Sequence, residues 1–499
     1  VSTQPIELMK LHDELKGFQI EVSRFADGFD FDRFFETAEL CTVVKQNARR
    51  QVYRIQARGR NFFLKRSTLV RPKDRLRLTL LPNRRGAEWR NLHRLAAMGV
   101  AAPRPLARGQ NWQRRVPQLF VLASEIKGRP PQLQDCAGWQ RLGRFIAFLH
   151  RKGIYHSDLH PGNLRLDANE GFALLDVQSV FFLNGLPRFL RRRNVGRLLM
   201  HCPGDQNTEQ WRSAFLVGYN SGSSSPMQLH EIVAAAERQL ERRYRSRTRR
   251  CCKDSSEFMR VRGSALRGYQ RRDFNWGLAE IQEAVRQGRQ LKPGRVFAFE
   301  GVCVKRHRRR LLHRNRCRHS WIMSRALQVR DIAVPRALAY LALGNTRYYL
   351  SEYLGGGLLL NDYLSSLTAG DEKRLALQRL ARWIRHIHSR RIWQRDFKSR
   401  NVLFHNGRYH MLDLDSVRLE PRIGTARRMM NLAQLNASVS NAITLKDRLR
   451  FFHFYIAGAR WPRNRRRAAY QKIWEISRGK NTAGYDLDLD KLFKSKFSN

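Results

Sequence analysis

Tyr155-His-Ser-Asp-Leu-His-Pro-Gly-Asn163, followed after a short charged segment by Ala173-Leu-Leu-Asp176, is the stretch around which this 499-residue chain is organised. It sets an acid at Asp158, an amide five residues on at Asn163, and a second acid eighteen residues on at Asp176. Phosphoryl transfer needs few groups but strict placement. One carboxylate orients the attacking hydroxyl, and an amide with a second carboxylate holds Mg²⁺ against the nucleotide phosphates. Asp158, Asn163 and Asp176 are of the right types, in the right order, for those tasks. The pattern recurs near the other end of the chain as Trp393-Gln-Arg-Asp-Phe-Lys-Ser-Arg-Asn401 with Met411-Leu-Asp413, so Asp396, Asn401 and Asp413 form a second set.

Upstream of the first set, Asn61-Phe-Phe-Leu-Lys-Arg66 reads as a strand carrying Lys65, and Glu88 stands on a helical pattern 23 residues later. A kinase amino-terminal lobe places a strand lysine on the α and β phosphates and pairs it with a helix glutamate. The glycine-rich phosphate loop that should precede them is missing, because Lys45-Gln-Asn-Ala-Arg-Arg50 contains no glycine. The second set is preceded by Arg295-Val-Phe-Ala-Phe-Glu-Gly-Val-Cys-Val-Lys305, again a strand ending in lysine. Aligning Pro103 with Pro335, an offset of 232, puts Trp321 on Trp89 and Ser320 on Glu88. Lys305 therefore lacks the carboxylate that should fix it. Leu119-Phe-Val-Leu-Ala-Ser-Glu-Ile126 and Tyr348-Tyr-Leu-Ser-Glu352 read as hinge strands, with Glu125 and Glu352 marking where backbone groups would meet the adenine. The copies differ again at Ser157 against Arg395 and at Gln178 against Asp415.

Length beyond what one core usually serves makes two domains the expectation. The pattern divides the chain into a helical extension over 1–40, a first kinase-like domain over 41–255 and a second over 256–499. The seam falls where glycine and polar residues interrupt the pattern, near 250–270. Helices are expected over about 139–150, 188–200 and 228–250, the last ending in the basic run Glu241-Arg-Arg-Tyr-Arg-Ser-Arg-Thr-Arg-Arg250. Ile6, Leu8, Met9, Leu11 and Leu15 give the amino terminus an amphipathic character, and Arg460-Trp-Pro-Arg-Asn-Arg-Arg-Arg467 closes the chain with another basic run.

Lys and Arg number 95 against 42 Asp and Glu, a formal charge of +53 that calls for an anionic partner. An acidic membrane face, an acidic glycolipid and a nucleic acid all fit that charge. Zinc-knuckle, helix-turn-helix and ribonucleoprotein signatures are absent, which weighs against nucleic acid. The seven cysteines show no C-x-x-C pair and no zinc spacing, and read as reduced thiols. The first thirty residues lack the apolar core of a cleavable signal, and no stretch of about 18 apolar residues is present to span a bilayer.

With these residues in place, both halves resemble the lipopolysaccharide core kinases, the heptose and Kdo kinase family of Gram-negative bacteria. The resemblance rests on Gly59-Arg-Asn-Phe-Phe-Leu-Lys-Arg66, the Glu88-Trp-Arg-Asn helix, Gly99-Val with Pro103, and His156-Ser-Asp-Leu-His-Pro-Gly-Asn163. The second half is similar through Val304-Lys-Arg306, Gln394-Arg-Asp and Leu445-Lys-Asp-Arg-Leu-Arg-Phe-Phe452. It implies an α+β chain of two tandem protein-kinase-like domains, each with a small β-rich N-lobe and a helical C-lobe. It also implies ATP and Mg²⁺ as cofactors and a sugar hydroxyl of the lipopolysaccharide inner core as acceptor. The place of action would be the cytoplasmic side of the inner membrane, peripheral to its anionic surface. Carried over by position, Asp158 and Asp396 would be catalytic. Lys65, Glu88, Glu125, Lys305 and Glu352 would bind the nucleotide, and Asn163, Asp176, Asn401 and Asp413 the metal. The rival reading makes one copy, the second in particular, a pseudokinase scaffold that binds anionic glycolipid or an assembly partner.

Overall fold

The computed structural model describes residues 8–47, 50–69, 86–113, 116–202, 208–263, 265–308, 315–368, 370–440, 443–457 and 462–479. Ile6, Ala48 and Arg49 of the glycine-free stretch, and Arg460 and Trp461 of the closing basic run lie outside the described residues. The chain forms two compact units, 1–241 and 242–499.

The first unit opens with α1 (Leu8–Leu15), β1 (Gln19–Val22), α2 (Phe31–Glu36), β2 (Ala38–Asn47), β3 (Arg50–Ala57) and β4 (Arg60–Thr68). Helix α3 (Ala87–Ala97) and strands β5 (Pro105–Asn111) and β6 (Gln118–Ser124) complete an antiparallel sheet of order β1-β5-β6-β4-β3-β2. Alternation along a strand sends neighbouring side chains to opposite faces. In β4 it sends Leu64 into a cluster with Phe18, Phe31, Phe34, Phe35 and Phe120, and leaves Lys65 on the other face, opposite Val121 of β6. Val121 packs with Leu92 and Leu95 of α3, so the lysine faces that helix. Residues 8–36 are thus no separate extension. They cover the outer face of the sheet, β1 hydrogen-bonds to β5, and Arg66 of β4 pairs with Glu14 of α1.

The helical lobe follows as α4 (Cys136–Arg151), β7 (Ile154–His156), β8 (Leu164–Leu166), β9 (Phe172–Leu174), β10 (Val180–Phe182), α5 (Arg188–Leu199), α6 (Thr208–Ser221) and α7 (Leu229–Thr248). Helices α4 and α6 approach so closely that a Cβ on Gly218 would lie 1.9 Å from the Gln140 carbonyl oxygen, and one on Gly143 would lie 2.2 Å from that of Phe215. Gly218→Ala should therefore destabilise the unit by about 1–3 kcal/mol of overpacking, outweighing the ~1 kcal/mol of helix propensity that alanine adds. Urea midpoints of the two proteins measure the difference.

The second unit repeats the plan. Strands β11 (Phe258–Arg262) and β12 (Leu266–Arg271) precede α8 (Leu278–Arg286), β13 (Arg289–Lys292), β14 (Val296–Phe299), β15 (Val302–Arg308), α9 (Arg316–Gln328), β16 (Ala337–Leu343) and β17 (Thr346–Glu352). Its antiparallel sheet runs β11-β12-β16-β17-β15-β14-β13. Here α8 covers the outer face through Ile281 and Ala284 against Val302 and Val304, which again leaves the next residue, Lys305, on the inner face. The helical lobe comprises β18 (Leu358–Leu359), α10 (Leu360–Ser366), α11 (Asp371–Ser389), β19 (Ile392–Gln394), β20 (Val402–His405), β21 (Arg408–Met411), β22 (Val417–Leu419), α12 (Thr425–Asn436), α13 (Leu445–Ile456) and α14 (Arg463–Arg478). Two β-rich lobes, each followed by a helical lobe, give the tandem protein-kinase-like α+β architecture.

The seam differs from the sequence-based boundary at 255/256. The division falls between Glu241 and Arg242, within α7, and the glycine-containing stretch 250–270 builds the edge of the second sheet. Tertiary contacts recruit it: the buried Trp321 indole donates to the Cys251 carbonyl at 3.0 Å, and Arg325 pairs with Glu257 at 2.6 Å. No disulfide joins any of the seven cysteines. Among the described residues no helix is long and apolar enough to cross a membrane.

Candidate active site

In the first unit Lys65 Nζ donates to Glu88 Oε1 at 2.5 Å, and Arg50 at the end of the glycine-free hairpin reaches the other carboxylate oxygen at 3.6 Å. Glu88 lies in the first turn of α3, where the helix dipole favours a carboxylate. One turn on, the Asn91 amide donates to the carbonyls of Val177 and Val180 at 2.8 and 3.0 Å. The lysine's helix is thereby tied to the segment that begins at Asp176.

Asp176 sits in left-handed backbone, φ 50° and ψ 48°, a conformation costly for a residue with a Cβ and one that persists where surroundings over-determine it. The surroundings are visible. Leu175 N–H donates to the Asn163 carbonyl at 2.8 Å, Leu174 N–H to that of Ala101 at 2.8 Å, and Ser157 N–H to that of Ser179 at 2.7 Å. His156 bridges the same two loops: Nδ1 accepts from the Asp158 N–H at 3.2 Å, so the proton on Nε2 goes to the Leu175 carbonyl at 3.1 Å. Burial lowers the His156 pKa and keeps the ring neutral in that role. Asn163 donates from Nδ2 to the Asp158 carbonyl at 2.9 Å, which leaves its amide oxygen for another partner. The Asp158 carboxylate is 58% exposed, with Arg197 and His160 each 3.9 Å away.

An amide oxygen and a carboxylate are hard donors of the kind Mg²⁺ accepts, and that ion takes only one or two protein ligands when phosphates and water supply the rest. No group of three or more His, Cys, Asp or Glu is gathered as a metal cage among the described residues. Asn163 Oδ1 and Asp176 are donors of the type that a nucleotide-bound ion would take.

The second unit reproduces the backbone lacing. Asn401 Nδ2 donates to the Asp396 carbonyl at 2.8 Å, Leu412 N–H to that of Asn401 at 2.8 Å, and Arg395 N–H to that of Ser416 at 3.2 Å. Gln394 takes the place of His156 and donates to the Leu412 carbonyl at 3.1 Å. Asp413 has the left-handed conformation of Asp176, φ 54° and ψ 60°. The ends of α3 and α9 confirm the offset of 232: Val100 N–H bonds the Leu95 carbonyl past left-handed Gly99, as Ile332 N–H bonds that of Leu327 past left-handed Asp331.

What differs is the lysine's partner. Ser320 occupies the place of Glu88 and is buried, and Lys305 Nζ instead donates to Asp413 Oδ1 at 2.8 Å. Burial works against the Lys305 ammonium, but the Asp413 carboxylate more than offsets it and the pKa rises. The same pairing overcomes burial at Asp413 and lowers its pKa. Burial and then the charge of Asp413 raise that of Asp415, which lies 3.7 Å from Arg316. The acid expected from the sequence to bind metal is thus paired with the lysine expected to bind the nucleotide.

Glu125 follows β6 and Glu352 ends β17, and their side chains hold their own lobes. Glu125 accepts from the Asn61 amide at 2.8 Å, and Glu352 is paired with Arg336 at 3.5 Å. Neither carboxylate joins the groups around Lys65 or Lys305 among the described residues, so any hinge contact there belongs to the backbone.

Several residues of the site were not singled out from the sequence. Lys398 lies 3.1 Å from Asp396, a pairing that the Asp-x-Lys spacing in Asp396-Phe-Lys398 could have signalled. Arg50 and Arg197 carry no local signal, and Asn91 entered only as the last residue of the Glu88-Trp-Arg-Asn motif, without its partners. A buried network under each catalytic loop was also missed. His150 contacts Tyr219 Oη at 2.9 Å and Asn194 Oδ1 at 3.0 Å, and Asn194 donates to the His156 carbonyl at 2.6 Å. His388 contacts Tyr455 Oη at 2.7 Å and Asn431 Oδ1 at 3.2 Å, and Asn431 donates to the Gln394 carbonyl at 2.7 Å. Comparing the halves position by position would have revealed it, since His150 and His388 each precede the acid expected to be catalytic by eight residues.

Comparison with known proteins places these observations. A family model described as the lipopolysaccharide kinase (Kdo/WaaP) family matches residues 38–219 and again 256–455. A 3-deoxy-D-manno-octulosonic acid kinase of Stenotrophomonas maltophilia (strain R551-3) is 29% identical over 157 residues, 28% of this chain and 61% of the relative. The enzyme of the same description from Xylella fastidiosa (strain 9a5c) is 28% identical over 122 residues, 22% of this chain and 47% of the relative. The chain thus spans between about half and three fifths of these relatives' length. Among solved structures, an aminoglycoside-3'-phosphotransferase of type VIII is 17% identical, covering 46% of this chain and 95% of its own, at a TM-score of 0.29. The bifunctional kinase-methyltransferase WbdD is 18% identical, covering 38% and 47%, at a TM-score of 0.26.

Proposed function

The chain belongs to the lipopolysaccharide kinase (Kdo/WaaP) family, and on that footing we propose that it transfers the γ-phosphate of ATP to a hydroxyl of a heptose or Kdo sugar in the lipopolysaccharide inner core. The observation that supports this reading is the run of contacts from Lys65 through Glu88, α3 and Asn91 to the segment that begins at Asp176. It ties the helix that fixes the ammonium to the segment of the second acid, and His156 and the Asn163 amide lace that segment to the loop of Asp158. Lys65 would hold the nucleotide phosphates, Glu88 would hold Lys65, and Asp158 would orient the acceptor hydroxyl and take its proton. Asn163 Oδ1 and Asp176 would hold Mg²⁺, which when bound offsets the charge of the phosphates. A net charge of +53 supports work on an acidic glycolipid at an anionic, cytoplasmic-side membrane surface.

The second unit keeps Asp396, Asn401 and Asp413 but pairs Lys305 with Asp413, and that pairing favours a scaffold role for this copy. Lys65→Met and Lys305→Met in the full-length chain separate the assignments. Phosphate transfer from ATP to core glycolipid should fall about 10²-fold or more in Lys65→Met, the scale of losing one preorganised charge-stabilising group. A comparable fall in Lys305→Met would make the second copy an enzyme, and an unchanged rate would leave it a scaffold. Full activity in Lys65→Met would reject the proposed function.

A further inference from the structure

We propose that Arg197, seconded by His160, binds an acidic group of the accepting sugar beside the reacting hydroxyl, making the first unit selective for a sugar acid. The inference rests on the phosphotransfer reading of Asp158 and adds the acceptor's chemistry to it. Arg197 is carried on α5, one turn beyond Asn194 and on the same face, where residues three apart are neighbours. Asn194 is anchored to the His156 carbonyl at 2.6 Å, and at Gly196 the helix lies so close to α7 that a Cβ would meet the Ala235 backbone at 2.6 Å. A helix held on both sides, not a loop, therefore sets where the guanidinium stands.

The guanidinium stands 3.9 Å from Asp158 Oδ1, too far for a hydrogen bond, and is about a quarter exposed. None of its N–H groups donates to a protein acceptor among the described residues. His160 flanks the other carboxylate oxygen at 3.9 Å, and because its Nδ1 accepts from the Gly162 N–H, its Nε2 carries the proton on the side facing Asp158. The acceptor hydroxyl has to arrive at Asp158, so it enters a space edged by an open guanidinium fork and an imidazole N–H. A carboxylate or phosphate adjoining that hydroxyl matches the fork in charge and in planar geometry.

The second unit shows that the fold does not need a cation there. Gln434, three residues after Asn431 as Arg197 is after Asn194, is buried and uses its amide on the catalytic loop. It accepts from the Phe397 N–H at 3.1 Å and donates to the Arg395 carbonyl at 2.6 Å. A glutamine at this position supports the loop and reads no acceptor. Arg197 does the opposite: among the described residues it makes no hydrogen bond to the loop and stands beside the Asp158 carboxylate.

The test compares 3-deoxy-D-manno-octulosonic acid with its methyl ester as acceptors for wild-type chain and Arg197→Gln. Wild type should prefer the acid. Arg197→Gln should raise KM for the acid about ten- to hundredfold, the scale of one lost charge-assisted contact, erase the preference over the ester, and leave KM for ATP unchanged. Arg197→Lys, which keeps the charge but loses the fork, should fall between. Equal rates with acid and ester in wild type, or equal losses on both in Arg197→Gln, would overturn the inference. If wild type phosphorylates neither free sugar, the phosphotransfer reading is decided separately by the Lys65→Met assay on core glycolipid, and calorimetry decides this one. Binding of the acid over the ester that disappears in Arg197→Gln supports it, and binding indifferent to Arg197 overturns it.

Discussion

Asp158→Asn should cut phosphate transfer by about 10²–10⁴-fold, the usual cost of losing a positioned general base, with folding and nucleotide-induced stabilisation unchanged. The separation of effects follows from how the residue is held. The loop uses Asp158 through its backbone, whose N–H meets His156 and whose carbonyl meets Asn163. The carboxylate itself is 58% exposed, and among the described residues its ion-pair partners, Arg197 and His160, stand no closer than 3.9 Å. Asparagine keeps the size and every backbone bond but cannot take the proton of the acceptor hydroxyl. Steady-state transfer to core glycolipid, thermal unfolding with and without Mg²⁺ and ATP, and the same measurements on Asp396→Asn read the outcome. Transfer at the wild-type rate in the double variant would remove both acids from the chemistry.

Acidification should destabilise both units through the buried histidines behind the catalytic loops. Burial lowers the pKa of His150 and of His388 from 6.5 to about 4. The fold holds the neutral ring, whereas the unfolded chain takes up a proton below pH 6.5. Stability is therefore complete above that pH and is lost as the pH falls towards 4. With 1.36 kcal/mol per pKa unit, each site contributes about 3 kcal/mol at its full extent. Urea unfolding from pH 7.5 to 4.5 should show a steep fall that His150→Gln and His388→Gln each flatten in their own unit, at the cost of lower stability at neutral pH. A pH profile that neither variant alters would exclude these rings as its cause.

The two halves also show what substitution in one position does to an otherwise shared site. Where α3 presents Glu88, the lysine and the second acid are kept apart as distinct charges. Where α9 presents buried Ser320, Lys305 collapses onto Asp413, because an ammonium on the inner face needs a counter-ion and the second acid is the one at hand. The loss of one carboxylate thus reaches the expected metal-binding residue although the loop before it keeps its acid and its amide, Asp396 and Asn401.

By itself the sequence determined the inventory and its order. Two lysine-bearing strands, two acid-to-amide spacings of five residues, the second acids, the missing glutamate at Ser320 and the surplus of positive charge were all legible, because residue type, spacing and strand alternation are local properties of the chain. The tertiary structure alone decided which groups meet. It set Lys65 on Glu88 and Lys305 on Asp413, a partner 108 residues away. It drew residues 8–36 over the sheet and the stretch 250–270 into the second sheet, and it aimed Arg197 at Asp158 while burying Gln434. Ion pairs and hydrogen bonds act over a few ångströms, and separation along the chain carries no record of which distant side chains the packing of helices on sheets brings that close.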